Sequence, residues 1–159
     1  MTRLVRIGLV GFLVAIGGLV TVICTVPASS ASEDKNDAQQ PVAVEGDMHE
    51  FMEYVFEPPY KRLKAGLSSA PADRTAWKEI KSDALILAEA TNLLLHRQPD
   101  EHANAWVKNA QIVRQQGGQL YQAAKQRDFD LSKKQFAEML KKCNHCHDQF
   151  AGGKHQLSP

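Results

Sequence analysis

What this sequence lacks narrows its function first. Its 19 Lys and Arg stand against 18 Asp and Glu, a formal charge of +1, and no basic run is present, so the positive face that a nucleic-acid binder needs is missing. With only 3 cysteines the chain is no disulfide-dense secreted scaffold. No stretch alternates apolar and polar residues with period two, and no Asn-Gly or Asp-Gly pair marks a hairpin, so nothing favours a sheet. No Gly-rich phosphate loop, Ser/His/Asp set or pair of carboxylates on one helix face accompanies Tyr54, Tyr60 or Tyr121, and an enzyme is not expected. What remains is 159 residues with 43% hydrophobic and 23% charged side chains, enough for one globular domain and too apolar for wholesale disorder.

Residues 1–31 read as an export segment. Arg3 and Arg6 precede an uncharged run from Ile7 to Val26, and Pro27-Ala28-Ser29-Ser30-Ala31-Ser32 supplies small residues for cleavage after Ala28 or Ala31. At ~1.5 Å per residue the run is also just long enough to span a bilayer, so a membrane tether through residues 7–26 is the alternative. Either reading carries the remaining chain out of the cytosol, to a periplasmic or otherwise exported location. Cys24 lies in this segment, which leaves Cys143 and Cys146 as the cysteines of the mature domain. Residues 32–46 form a polar linker, without a large apolar side chain between Glu33 and Gln40. The domain is expected over 47–153, with 154–159 as a C-terminal tail.

Four amphipathic segments follow. Asp47 can cap a helix with Glu50 at its third position, and Met48, Phe51, Met52 and Val55 then share a face. Pro58-Pro59 removes two consecutive N–H donors, so this helix is expected to kink or stop before restarting through Tyr60, Leu63 and Leu67. Asp73 can cap a second helix, whose stripe of Trp77, Ile80, Ala84, Leu87, Thr91 and Leu94 ends at Arg97-Gln98-Pro99. A third stripe, Trp106, Ala110, Val113, Gly117, Leu120 and Ala124, alternates large with small residues and would let another helix or a flat ligand approach closely. Gly117-Gly118 is expected to weaken it locally. Ser132 with Gln135 resembles a capping box for a fourth helix, whose stripe of Phe136, Met139, Leu140, Cys143, Cys146, His147 and Phe150 ends at Gly152-Gly153. The expected fold is all-α, an antiparallel up-down-up-down four-helix bundle.

The chemistry lies in Cys143-Asn144-His145-Cys146-His147. C-x-x-C-H is the attachment signature of c-type haem: two thiols three residues apart can add to the two vinyl groups on one porphyrin edge, and the next residue offers an imidazole to the iron. On a helix Cys143 and His147 are also four residues apart, so all three side chains leave one face. A dithiol redox motif would sit at a strand-to-helix turn, and no strand precedes this one. A zinc site could use Cys143 and Cys146 with His145, His147 or His155, but no second cysteine pair exists to close it. A disulfide between residues three apart on a helix would be strained.

The export segment, the four-helix pattern and the run Phe136-Ala137-Glu138-Met139-Leu140-Lys141-Lys142-Cys143-Asn144-His145-Cys146-His147-Asp148-Gln149-Phe150 together resemble the cytochrome c prime family, including its low-spin relatives. Arg62-Leu63-Lys64-Ala65-Gly66-Leu67 is similar to the end of that family's first helix. The resemblance covers roughly Asp47 to Phe150. It implies one covalent haem c, thioether links at Cys143 and Cys146, proximal iron ligation by His147, and a haem lodged between the first and last helices. The chain departs from the family pattern at Ala151, where an Arg or Lys is usual four residues after the proximal histidine, and at Pro58-Pro59.

The sixth iron position separates two functions. In an antiparallel bundle the start of the first helix lies beside the end of the fourth, which puts Met48 and Met52 near the iron. A thioether opposite the histidine makes the iron six-coordinate, raises its potential and suits one-electron transfer between redox partner proteins. Met52, one turn into the helix, is the first candidate and Met48 the second. His49 is a third, with its direction set by the helix register. If none binds, Phe51, Met52 and Val55 crowd an open distal face, and the chain becomes a five-coordinate haem protein for a diatomic gas such as NO or CO. His96, His102, His145 and His155 fall at segment ends or beside polar residues, where solvated histidines are the default. Arg62, Lys64, Lys141 and Lys142 read as solvated charges rather than propionate partners. A homodimer through exposed stripe edges on the first two helices is an additional expectation.

Overall fold

The computed structural model describes residues 42–159; the export segment 1–31 and residues 32–41 of the linker lie outside the described residues. Helix α1 (Met48–Phe51), a π-helical turn π1 (Met52–Phe56) and helix α2 (Glu57–Gly66) follow one another without a break and form a single rod. Helices α3 (Arg74–Leu94), α4 (Ala103–Gln126) and α5 (Phe129–Phe150) complete an all-helical bundle, with no strand among the described residues. No helix among them is long and apolar enough to cross a membrane.

The first rod starts where the sequence places it. The Asp47 carboxylate accepts from the Glu50 N–H at 2.9 Å, but Glu45, not Glu50, reaches the Asp47 N–H, at 2.7 Å. Only half of the expected capping box is therefore formed. Pro58-Pro59 neither stops the rod nor forces a restart. Pro58 and Pro59 cannot donate to the carbonyls of Tyr54 and Val55, and just before them the helix widens over Met52–Phe56, the Glu57 N–H donating to the Met52 carbonyl. The prolines then occupy the first turn of α2, where missing N–H groups cost least. A π turn of this kind is rare and recurs at functional sites.

Helix α3 begins on Asp73, whose carboxylate accepts from the Ala76 N–H at 2.9 Å. Helix α4 runs unbroken through Gly117-Gly118 to Gln126. At Gly117 α3 and α4 approach closely, because a Cβ there would sit 3.0 Å from both Cα and Cβ of Ala88. The small-residue stripe on α4 thus admits another helix, not a flat ligand, at this height. Around that contact Leu63, Leu120, Phe136 and Met139 lose essentially all solvent contact, each burial favouring the fold by ~1.5–3 kcal/mol. A second apolar cluster joins Phe51, Leu94, Trp106 and Ala110 at the end of the bundle that holds α1.

The start of α5 corrects the sequence reading. Arg127 ends α4 in the left-handed region at φ 57°, and Asp128 caps α5 directly, its carboxylate accepting from Leu131 N–H at 2.9 Å. Ser132 lies inside the helix, fully buried, and its hydroxyl donates to the Asp128 carbonyl at 2.6 Å. The Ser132/Gln135 pair is therefore no cap. Helices α2 and α3 are joined by an ion pair that periodicity does not reveal. The Arg62 guanidinium donates to both oxygens of Asp83, at 2.6 to 3.1 Å, and Asp83 is only 5% exposed. On its outer side α3 leaves Leu85, Ile86 and Leu93 exposed.

Candidate functional site

Helix α3 packs on α2, α4 on α3 and α5 on α4, yet no Cα of the 48–66 rod comes within 8 Å of a Cα of α5. Between them lies a cavity of about 630 Å³, inside the ~300–1,000 Å³ range of ligand and cofactor sites. Met48, Met52 and Phe56 line it from the first rod, Trp106 from α4, and Cys146, His147 and Phe150 from α5. The burial of Phe136, Met139 and Leu140 against the main core fixes the rotation of α5. Three and four residues further along, the same face carries the cysteine and histidine side chains.

The five-residue motif is divided between core and cavity. Cys143 packs against the main apolar cluster, whereas Cys146 and His147 reach the cavity wall. Burial pushes the Cys143 thiol up to about 12, with the neighbouring Cys146 adding to the shift, and burial alone pushes Cys146 up to about 11. In the folded chain without a bound group, both thiols are thus less acidic than a free cysteine. Among the described residues no three His, Cys, Asp or Glu side chains group as metal ligands.

The imidazole of His147 is held in one tautomer. Its Nδ1 lies 2.9 Å from the carbonyl oxygen of His155. A carbonyl can only accept, so Nδ1 carries the proton and Nε2 keeps its lone pair. Partial burial lowers the His147 pKa, as does the charge of His155, while the hydrogen bond to the His155 carbonyl and the charge of Asp148 act against the shift. A neutral ring with Nδ1–H bound to a backbone carbonyl is the usual second-sphere arrangement of a metal-ligating histidine.

The opposite wall holds both predicted methionines. Met48 and Met52 are half-buried and pack with Val55, Phe56, Leu95 and Phe150 around the second cluster. Trp106 closes this end: its Nε1–H donates to the Leu94 carbonyl at 2.7 Å, and its ring meets Phe150 edge-on at 5.0 Å. The Arg97 guanidinium lies 3.9 Å over the Phe51 ring and donates to the Glu45 carbonyl. His49, the third candidate, stands at the cavity mouth with 66% of its side chain exposed, 3.7 Å from Glu53.

Three features escaped the sequence reading. Gly152 and Gly153, at φ 60° and 73°, turn the chain back along the last turns of α5, a conformation that glycine adopts without penalty. The returning 154–159 tail is part of the domain, not an appendage. Asn144 grips Leu157 with both ends of its amide, donating to the carbonyl at 2.9 Å and accepting from the N–H at 2.8 Å. Tyr60 and Lys64 of α2 donate to the Ser158 carbonyl at 2.9 and 3.0 Å, so the tail bridges α5 and the first rod. Leu157, a lone apolar residue after the glycine pair, was the available sign of this. His145 and His102 are exposed, as expected of solvated histidines, but His155 lines the cavity. Of the cations, Arg62 is taken by Asp83, Lys64 by Ser158 and Lys141 by Glu138.

Comparison with models of protein families, with curated proteins and with solved structures finds no match to this chain.

Proposed function

We propose that this protein is an exported monohaem c-type cytochrome of the cytochrome c prime kind, an antiparallel up-down-up-down bundle that passes single electrons between redox proteins. One observation carries the reading: Cys146 and His147 of the C-x-x-C-H motif open onto a cofactor-sized, mostly apolar cavity that Met48 and Met52 also line. The antiparallel course is supported by the joints. Helix α4 has 24 residues, about 36 Å at 1.5 Å per residue, and only Arg127 and Asp128 separate it from α5. Two residues reach roughly 7 Å, too little for α5 to run in the same direction.

A haem bound here supplies a one-electron iron couple whose potential follows its axial ligands and their surroundings. The chain's own residues do the rest. Cys143 and Cys146 would hold the group covalently through their sulfurs. His147 offers Nε2, with its tautomer fixed from behind by the His155 carbonyl. Met52 is the sixth-ligand choice over Met48, because it lies one turn inside the rod, where its carbonyl is tied to Glu57, whereas Met48 sits in the first turn. Phe56, Trp106 and Phe150, which line the cavity, would keep water from the bound group.

The test is expression of the full chain with a c-type haem maturation system, followed by mass spectrometry and a pyridine haemochrome assay. Covalent haem in the wild type and none in Cys143→Ser/Cys146→Ser is expected. A wild type that matures without haem overturns the reading.

A further inference from the structure

We infer that Asn144, one of the two unassigned residues inside the C-x-x-C-H motif, is a positioning residue for the iron ligand: it clamps the C-terminal tail so that the His155 carbonyl holds the Nδ1 proton of His147. The inference rests on the haem reading proposed above and adds to it a determinant of iron potential that lies outside the ligand set. The chain of contacts is short. Asn144 lies one turn before His147 on α5 and is half-buried. Its amide pairs with both backbone groups of Leu157, at 2.8 and 2.9 Å. Leu157 in turn seats its side chain against the main core, so the tail is fixed by packing as well as by hydrogen bonds. Between this clamp and the end of α5 the chain makes a closed turn. The Gly153 N–H donates to the His147 carbonyl at 3.1 Å, and Gln156 donates to the Asp148 carboxylate at 2.9 Å. His155 stands inside that turn at φ 57°, with its carbonyl oxygen 2.9 Å from His147 Nδ1.

The chemical consequence follows from the direction of the bond. An imidazole whose Nδ1–H is drawn toward a carbonyl gains electron density at Nε2 and becomes the stronger donor to a metal. Stronger donation favours the ferric over the ferrous ion and lowers the potential. A water molecule would replace the carbonyl only loosely, since nothing would hold it in line with Nδ1. Asn144 therefore acts through His155 and not on the iron itself. The C-terminal residues perform a task that the motif alone does not specify.

The experiment uses the haem-matured full chain, Asn144→Ala, and a chain ending at Gly153, which removes the carbonyl altogether and serves if Asn144→Ala fails to fold. Two quantities are read: solvent exchange of the His147 Nδ1 proton by NMR, and the reduction potential. Slow exchange in the wild type, with fast exchange and a higher potential in both altered chains, is expected. Wild-type exchange and potential in altered chains that fold and carry haem would overturn the inference. Absence of covalent haem from all three speaks against the cytochrome reading instead, and the Nδ1 exchange measured on the same three chains without haem then decides for or against the clamp.

Discussion

Replacing each of two adjacent glycines by alanine should stabilise the protein at one position and not at the other. Both Gly117 and Gly118 lie inside α4, where exchanging glycine for alanine favours a helix by about 1 kcal/mol. At Gly118 the new methyl meets nothing within 4 Å, so Gly118→Ala should realise the whole gain. At Gly117 the methyl would lie 3.0 Å from Cα and Cβ of Ala88 and 3.3 Å from its N. These are atoms of the α3 backbone and its first carbon, with no rotamer to yield, so the helices must part by a few tenths of an ångström. Overpacking of this kind costs ~1–3 kcal/mol, which exceeds or cancels the propensity gain. Gly117→Ala should therefore be less stable than Gly118→Ala by about 1–3 kcal/mol, read as a shift of the urea midpoint at unchanged slope. Equal stabilisation by the two substitutions would refute the close approach of α3 and α4 on which the bundle's packing depends.

Other outcomes follow from the ion pair, the methionines and the thiols. Arg62→Ala leaves the nearly buried Asp83 carboxylate without its partner; because 56% of the Arg62 side chain is exposed, water recovers part of the loss, and about 1–3 kcal/mol should disappear. Adding Asp83→Ala should restore some of it, and a double-mutant cycle with no coupling would contradict the pairing. In the haem-matured protein Met52→Ala should turn a low-spin iron high-spin and open it to CO, while Met48→Ala leaves it low-spin; the reverse pattern would reassign the ligand to Met48. In the chain without haem, Cys143 and Cys146 should resist alkylation at pH 8. A thiol moved from 9.0 to about 12 carries roughly 1,000-fold less thiolate at that pH, and one moved to about 11 roughly 100-fold less. Reactivity should rise only as pH climbs toward those values, and unfolding in urea should restore it at pH 8. Peptide mass spectrometry follows each cysteine separately, and labelling as fast in the folded as in the unfolded chain would contradict their burial.

The helices were legible in the sequence wherever a stripe and a cap agreed. Asp47 and Asp73 announce α1 and α3 because a carboxylate stands at the N-cap of an apolar stripe with a period near 3.6, one residue before Met48 and four before Trp77. The joint between α4 and α5 was not legible for the converse reason. Arg127 takes the left-handed conformation without being glycine, and Asp128 lacks a Glu or Gln three residues later, so the more box-like Ser132 attracted the assignment. Pro58-Pro59 was seen as a disturbance, but a sequence does not tell a break from a π turn; packing of Leu63 and Leu67 in the core beyond it favours continuity. The candidate site was readable in its parts: Cys146 and His147 share a cavity with Met48 and Met52, as motif and stripe together required. Its support was not. Asn144, His155 and Leu157 come together only because two glycines reverse the chain, and neither the Asn144 amide nor a backbone carbonyl announces its partner from sequence.

The most direct test of the account is the absorption spectrum of the haem-matured full chain, oxidised and then reduced, before and after CO. A six-coordinate electron carrier with Met52 opposite His147 predicts sharp, well-resolved reduced bands that CO leaves unchanged. A broad, unsplit reduced spectrum that shifts with CO would contradict it, leaving an open sixth position and a protein that binds gases.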